Sequence, residues 1–125
     1  MITSIEITGI KYDLDARTKK YVSKKIGKLD RYLPGHARKS TSAEVKLKTV
    51  NRSHGNKYEA EIILYVPEKV ITAKDTTVNM LAAVDIVERK IVNQLRKYKQ
   101  TSVLHIAKRK IMGQLKRGFG REKQN

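Results

Sequence analysis

The sequence predicts an α+β fold: a two-layer sandwich in the order β-α-β-β-β-α, with a four-stranded sheet carrying two helices on one face. Three observations predict it. Two segments, residues 15–33 and 75–98, repeat apolar positions at helical spacing with cations on the opposite arc. Residues 43–49 and 58–64 alternate apolar and charged side chains, as half-buried strands do. A third β-branched run, residues 69–74, follows the Pro67-Glu68 turn, and a sheet with one apolar face needs amphipathic helices to cover it.

The first strand is the short β-branched stretch 2–8, ending at Gly9, and its neighbour in the sheet is not set by pattern alone. The first helix starts at Asp15, an N-cap residue, and Pro34-Gly35 stops it. Within it Arg17, Lys20, Lys24, Lys28 and Arg31 are spaced 3, 4, 4 and 3 residues apart, while Thr18, Val22, Ile26, Leu29 and Leu33 fall on the opposite side. These cations meet only like charges at i,i+4 spacing, which disfavours the isolated helix and calls for a compensating partner.

Residues 36–42 read as a loop. In the following hairpin, pairing Val50 with Lys57 across the NRSHGN turn puts Lys48 opposite Glu59 and Lys46 opposite Glu61. The same register puts Leu47 beside Ala60 and Val45 beside Ile62, so charge pairing and apolar pairing agree. Ile71 and Ala73 then join the core side with Leu64 and Ile62. The second helix is expected to begin near Asp75 to Thr77 and to run to about Tyr98. Met80, Val84, Val87, Ile91, Leu95 and Tyr98 form its buried stripe, with Arg89, Lys90, Asn93, Arg96 and Lys97 opposite. Ile86 falls in that polar arc, and its pattern has no explanation in the sequence.

Residues 1–100 are expected to form one domain and 101–125 a basic tail, flexible or helical on binding. Leu104, Ala107, Ile111 and Leu115 keep helical spacing in the tail, against Gly113, Gly118 and Gly120. The net charge is +16, with 21 basic and 11 acidic groups in residues 1–100 and 7 and 1 in the remainder. Such an excess repels itself, so a polyanionic partner is expected, nucleic acid first among them. The start, MITSIEITGI, lacks the pattern of a signal peptide, and no run approaches the roughly 18 apolar residues of a membrane span. A cytoplasmic location and no membrane partner are the expectation.

Chemistry finds little support. The absence of cysteine excludes a thiol nucleophile and cysteine-ligated zinc, and His36, His54 and His105 share no ligand spacing. Glu44, Glu59 and Glu61 read as structural ion-pair partners, and no serine sits in a nucleophile elbow. No enzyme activity, cofactor, metal or small-molecule substrate is expected. Arg117-Gly118-Phe119-Gly120 begins like an RNA-recognition signature but does not continue into an apolar strand. Tyr21 and Tyr32, flanking the first cationic stripe, are the tyrosines suited to stacking on bases.

The stretches ITGIKYDLDARTKKYVSKKIGKLDRYL and NMLAAVDIVERKIVNQLRKYK resemble the two helical signatures of the ribosome hibernation-promoting factor and ribosome-associated inhibitor family, also called the sigma-54 modulation protein family. The matching positions include Ile7-Thr8-Gly9, Tyr21-Val22, Lys25, Lys28-Leu29, Arg31-Tyr32, Met80, Asp85, Lys90, Gln94-Leu95, Lys97 and Lys99. The resemblance implies a fold similar to a double-stranded RNA-binding domain. It also implies a protein that silences idle ribosomes by lying on the small ribosomal subunit, against its rRNA, where messenger and transfer RNA would sit. It adds Lys25 and Lys99 to the stripe cations as expected rRNA contacts, and a monomer is expected when free. Residues 101–125 are too few for the dimerisation domain of the long family form, so the short, tailed form is expected. Asn79 and Leu81 depart from a usual Asp-Met-Tyr, and Asn93 stands where an arginine is common, making Arg89 and Arg96 the compensating cations. A general double-stranded RNA-binding module is the alternative that the same topology and charge allow.

Overall fold

The computed structural model describes residues 2–50 and 57–124, with side chains described up to Thr101 and at Ile111. The order is β1 (Ile5–Ile10), α1 (Ala16–Gly27), a 3₁₀ segment (Lys28–Tyr32), a 3₁₀ turn (Gly35–Ala37), β2 (Ser42–Thr49), β3 (Tyr58–Val66), β4 (Lys69–Thr77) and α2 (Met80–Gln124). The four strands form one sheet in the order β1-β2-β3-β4, and the expected α+β sandwich is the observed one. β1 runs parallel to β2, and the remaining pairs are antiparallel. The parallel step makes β1-α1-β2 a crossover unit, which is what carries α1 over the sheet.

The hairpin register is the expected one: Lys46 stands opposite Glu61, Lys48 opposite Glu59, and the Val50 N–H donates to the Lys57 carbonyl at 2.7 Å. The turn itself, residues 51–56, lies outside the described residues, as does His54. Leu64 pairs with Ile71 and Ile62 with Ala73, placing β4 as anticipated. At the β3–β4 turn Pro67 is followed by Glu68 at φ 66°. The core lies between the sheet and the helices. Val45, Leu47, Ile62, Leu64 and Ile71 from the strands meet Val22, Ile26, Leu29, Val84, Val87, Ile91 and Leu95 from the helical side.

Several boundaries differ from the sequence reading, each for a local reason. β1 starts at Ile5 because Ile2 leaves the sheet: its side chain is buried and its N–H donates to the Gly27 carbonyl at 3.1 Å. It ends at Ile10 rather than at Gly9. A Cβ on Gly9 would stand 2.5 Å from the Tyr12 carbonyl oxygen, so the chain folds back over the glycine there. Asp15 caps α1, accepting from the Thr18 N–H at 2.7 Å. The α-helix ends at Gly27, however, and the chain tightens into 3₁₀ geometry before Leu33, which is extended (ψ 145°) as the residue ahead of Pro34 must be.

β4 continues to Thr77, paired with Tyr58, so α2 begins at Met80 instead of near residue 75. Asn79 caps it. Its Oδ1 accepts from the Leu81 and Ala82 N–H groups at 2.9 and 3.2 Å. At the other end α2 continues past Tyr98 to Gln124, through all three glycines, where an end near Tyr98 was expected. Extending an existing helix avoids the nucleation cost, and each interior glycine costs only about 1 kcal/mol. Tyr98 is the last residue of α2 in the buried core among the described side chains, and Ile111 is exposed.

Candidate nucleic-acid interface

Burying one side of α1 and its 3₁₀ extension fixes what the other side presents. Val22, Ile26, Leu29 and Leu33 are at most 2% exposed, and Arg17, Lys20, Lys24, Lys28 and Arg31 are consequently all exposed. Thr18 is half-buried at the end of the apolar stripe. On α2 the buried residues Val84, Val87, Ile91 and Leu95 leave Arg89, Lys90, Asn93, Arg96, Lys97 and Lys99 exposed. Ile86, which the pattern left unexplained, is half-buried.

Two side-chain contacts fix the relation between the rows. The Tyr21 hydroxyl donates to Asp85 Oδ1 at 2.9 Å, and the Arg96 guanidinium lies 5.8 Å from the centroid of the Tyr32 ring. Tyr21 and Tyr32 are eleven residues apart, as are Asp85 and Arg96, so the two helical segments run in the same direction side by side. At 1.5 Å per residue the ties are about 16 Å apart along α2. The cationic stripes therefore form two parallel rows, matched to a polyanionic chain or duplex edge rather than to a point ligand.

Among the described residues most of these cations carry no carboxylate partner, but Lys90 and the neighbouring Lys25 are engaged. Lys25, half-buried, donates to Asp85 and lies 3.7 Å from Glu88, both on α2. Burial of the Asp85 carboxyl works against its ionisation, but hydrogen bonds from Lys25 and Tyr21 outweigh it and hold its pKa below the ordinary carboxylate value. Burial likewise works against the Lys25 charge. Asp85, Tyr21 and Glu88 outweigh it, and the Lys25 pKa is raised. Lys90 is 3.1 Å from Asp75 Oδ2 and donates to the Lys74 carbonyl at 3.5 Å, beside Gln94, which donates to the Thr72 carbonyl at 2.9 Å. The Lys90 hydrogen bond and that from the Thr76 N–H lower the Asp75 pKa. Sequence reasoning missed these pairings. Their signal was the acidic pair Asp85 and Glu88, one helical turn apart in an otherwise basic helix.

Arg31 also lies 5.8 Å from the Tyr32 centroid, so guanidinium groups from both rows share one half-buried ring. The opposite side of the sheet is different in charge. It carries Glu6, Glu44, Glu59 and Glu61 alongside Lys46, Lys48 and Lys74, so the cationic excess is concentrated on the helical side. The expected cross-strand ion pairs do not close within 4 Å. Lys46 instead approaches Glu44 of its own strand at 3.8 Å, and Glu44 accepts from the Tyr65 hydroxyl at 3.0 Å. Among the described residues no group of three His, Asp or Glu side chains could hold a metal ion, and no helix is long and apolar enough to cross a membrane.

With the two rows in place, comparison with known proteins is decisive. The family model described as sigma 54 modulation protein / S30EA ribosomal protein matches residues 5–102. The chain belongs to that family. Curated relatives include the ribosome hibernation promotion factor of Lactococcus lactis subsp. cremoris, 34% identical over 94 residues, covering 74% of this chain and 48% of the relative. That of Staphylococcus aureus is 31% identical over 96 residues, covering 75% and 47%. The chain thus spans about half the length of the curated relatives it matches. Among solved structures, the N-terminal domain of Thermus thermophilus Protein Y superposes with a TM-score of 0.64 at 26% identity, covering 78% of this chain and 99% of that domain. A ribosomal subunit interface protein from Coxiella burnetii gives 0.62 at 26%, covering 77% and 97%. The match ends within α2 at residue 102, so the remainder of that helix lies beyond what the family model covers.

Proposed function

We propose that this chain is a non-catalytic ribosome hibernation factor, in which residues 1–100 bind the small ribosomal subunit and residues 101–125 add a basic extension. The exposed cations of α1, its 3₁₀ extension and α2 contact rRNA phosphates, and the bound protein occupies the region where messenger and transfer RNA would lie. The observation that carries the reading is the pair of parallel rows of exposed cations on the helical side of a member of this family. The names of the curated relatives and the subunit-interface name of the Coxiella neighbour support the ribosome as the partner. Charge segregation supports the helical side as the contacting side, because phosphate binding gains from releasing condensed counterions.

Sedimentation of the purified protein with small subunits, with and without transfer RNA, tests this. Co-sedimentation that transfer RNA competes away is expected, with affinity falling roughly 10³- to 10⁵-fold between 50 and 200 mM salt if about six to ten phosphates are contacted. Stronger binding to free duplex RNA than to subunits would instead favour the general double-stranded RNA-binding module. A flat salt response would reject phosphate contacts as the main source of affinity.

A further inference from the structure

Removing a carboxylate from the cationic side of a protein with a net charge of +16 is expected, on charge alone, to tighten its grip on RNA. Asp85 is the residue at which that expectation is most instructive. It sits on α2 facing α1, where one oxygen, Oδ1, takes both the Tyr21 hydroxyl and the Lys25 ammonium. Tyr21 and Lys25 are one helical turn apart on α1, so the two donors reach a single acceptor from successive turns. Lys25 also lies 5.3 Å from the centroid of the Tyr21 ring and 3.7 Å from Glu88, which leaves its charge surrounded by protein groups. Its side chain is 27% exposed. The exposed cations on either side, Lys24 and Lys28, have no such partners among the described residues.

We infer that Asp85 is a positioning residue for the phosphate-reading surface: through Tyr21 and Lys25 it sets the separation of the two cationic rows, and Lys25 is its strut rather than a phosphate contact. The inference rests on the proposed rRNA-binding role. The physical basis is that two rows on separate helical segments read phosphates cooperatively only while their separation matches the phosphate spacing. Val22 and Ile26 of α1 and Val84, Val87 and Ile91 of α2 belong to one buried apolar core, and the burial that drives their packing is non-directional. A charge-assisted hydrogen-bond cluster is directional and fixes one relative position. The Arg31–Tyr32–Arg96 stack, three turns further along, holds the other end but consists of like charges around a ring, and it supplies no ion pair of its own.

Two measurements test the inference, one of them independent of the ribosome. Because the natural chain has no cysteine, cysteines introduced at Lys24 and Asn93 for spin labels report the row separation in the free protein. Asp85→Leu should broaden or displace that distance distribution, and an unchanged distribution overturns the inference. In small-subunit binding, well below the melting temperature of each variant, Asp85→Leu should weaken affinity about tenfold despite the added net positive charge, with the salt slope unchanged. Lys25→Met should weaken it similarly, again with an unchanged slope.

Tighter binding by Asp85→Leu, or a slope reduced by about one ion in Lys25→Met, would identify Lys25 as a phosphate contact and overturn the inference. If Asp85→Leu does not fold, Tyr21→Phe removes one bond without changing charge. It should broaden the same distance distribution, and failure to do so counts against the strut. Should the wild-type protein not bind small subunits at all, the hibernation reading fails, and the spin-label distances still decide whether Asp85 sets the rows.

Discussion

Arg31 and Arg96, one on the 3₁₀ extension of α1 and the other on α2, converge on the Tyr32 ring, each guanidinium carbon 5.8 Å from its centroid. Neither is ion-paired among the described residues. Two unpaired guanidinium groups drawn toward one ring repel each other, and the ring face offsets that only partly. A phosphate beside them would relieve the repulsion, so an anion gains from both cations here.

Replacing either arginine by glutamine should therefore weaken small-subunit binding and lower the salt slope by about one ion, and the double variant should lower it by about two. Both side chains are exposed and each ring contact is worth only about 0.5–1 kcal/mol, so the melting temperature should fall by no more than a few degrees. Titrations at several salt concentrations, read beside a thermal melt, check this. A melting temperature that falls further, together with affinity, would make the arrangement structural.

The Lys25–Asp85 contact gives a pH dependence whose sign follows from the shifts. Asp85 titrates below its ordinary value of 3.8 in the folded protein, so its contribution is fully present above that value and is lost as pH falls through the folded pKa. Lys25 titrates above its ordinary value of 10.5, so its contribution is present below that value and is lost as pH rises through the folded pKa. Between those limits the stability difference between wild type and Asp85→Asn should be constant. It should shrink as the acid limit is crossed. Urea midpoints measured at intervals from neutral pH to pH 3 test it, and a difference that grows toward acid pH would contradict the assignment.

How much of this was readable beforehand depended on how local the determining signal was. The β2–β3 register needed only two neighbouring segments, and both the charge pattern and the apolar pattern pointed to Lys46 opposite Glu61. The same reading erred in expecting those pairs to close, because Lys46 finds Glu44 on its own strand. The exposed cations of the first stripe were likewise fixed by the periodicity of four buried residues. β1 could not be placed, since its parallel pairing with β2 is a long-range contact that alternation does not encode. Lys25 looked like its neighbours because its partners, Asp85 and Glu88, lie some 60 residues away in sequence. The end of α2 was missed because glycine propensities were weighed as if a new helix had to begin.

Asn79, the departure from the family's usual aspartate, performs the capping that position requires. Asn79→Ala should destabilise the protein by about 1 kcal/mol through the loss of the side-chain acceptor. Asn79→Asp should retain the cap and add a favourable charge at the positive end of α2, raising stability by about 0.3–1 kcal/mol. Chemical denaturation of the two variants distinguishes capping from an incidental polar contact.

Gly9 occupies a position where the chain passes over it within 2.5 Å of any added Cβ. Gly9→Ala should cost about 1–3 kcal/mol, because the obstructing atom is the Tyr12 backbone carbonyl, which cannot rotate away as a side chain could. The same shift should disturb the edge-to-face pair of Tyr12 and Tyr58, whose ring centroids are 6.0 Å apart. A lower melting temperature accompanied by a changed near-ultraviolet tyrosine signal is the expected result. Wild-type stability would mean that the segment following β1 can move.

Truncation after Lys99 tests the extension. Residues 101–125 carry seven cations against Glu122, and Tyr98, the last buried residue of α2 among the described side chains, donates its hydroxyl to the Pro67 carbonyl at 3.2 Å. The truncated protein should therefore keep its fold, because every buried residue of α2 lies at or before Tyr98 among the described side chains. It should still find the same site on the small subunit. Its affinity should be lower and its salt slope shallower, since a tethered cationic segment binds nearby phosphates at high effective concentration once the domain has docked. Unchanged affinity and slope would assign residues 101–125 a role other than RNA contact. Loss of the fold would place Leu104 and Leu115 in the core and move the domain boundary toward the C-terminus.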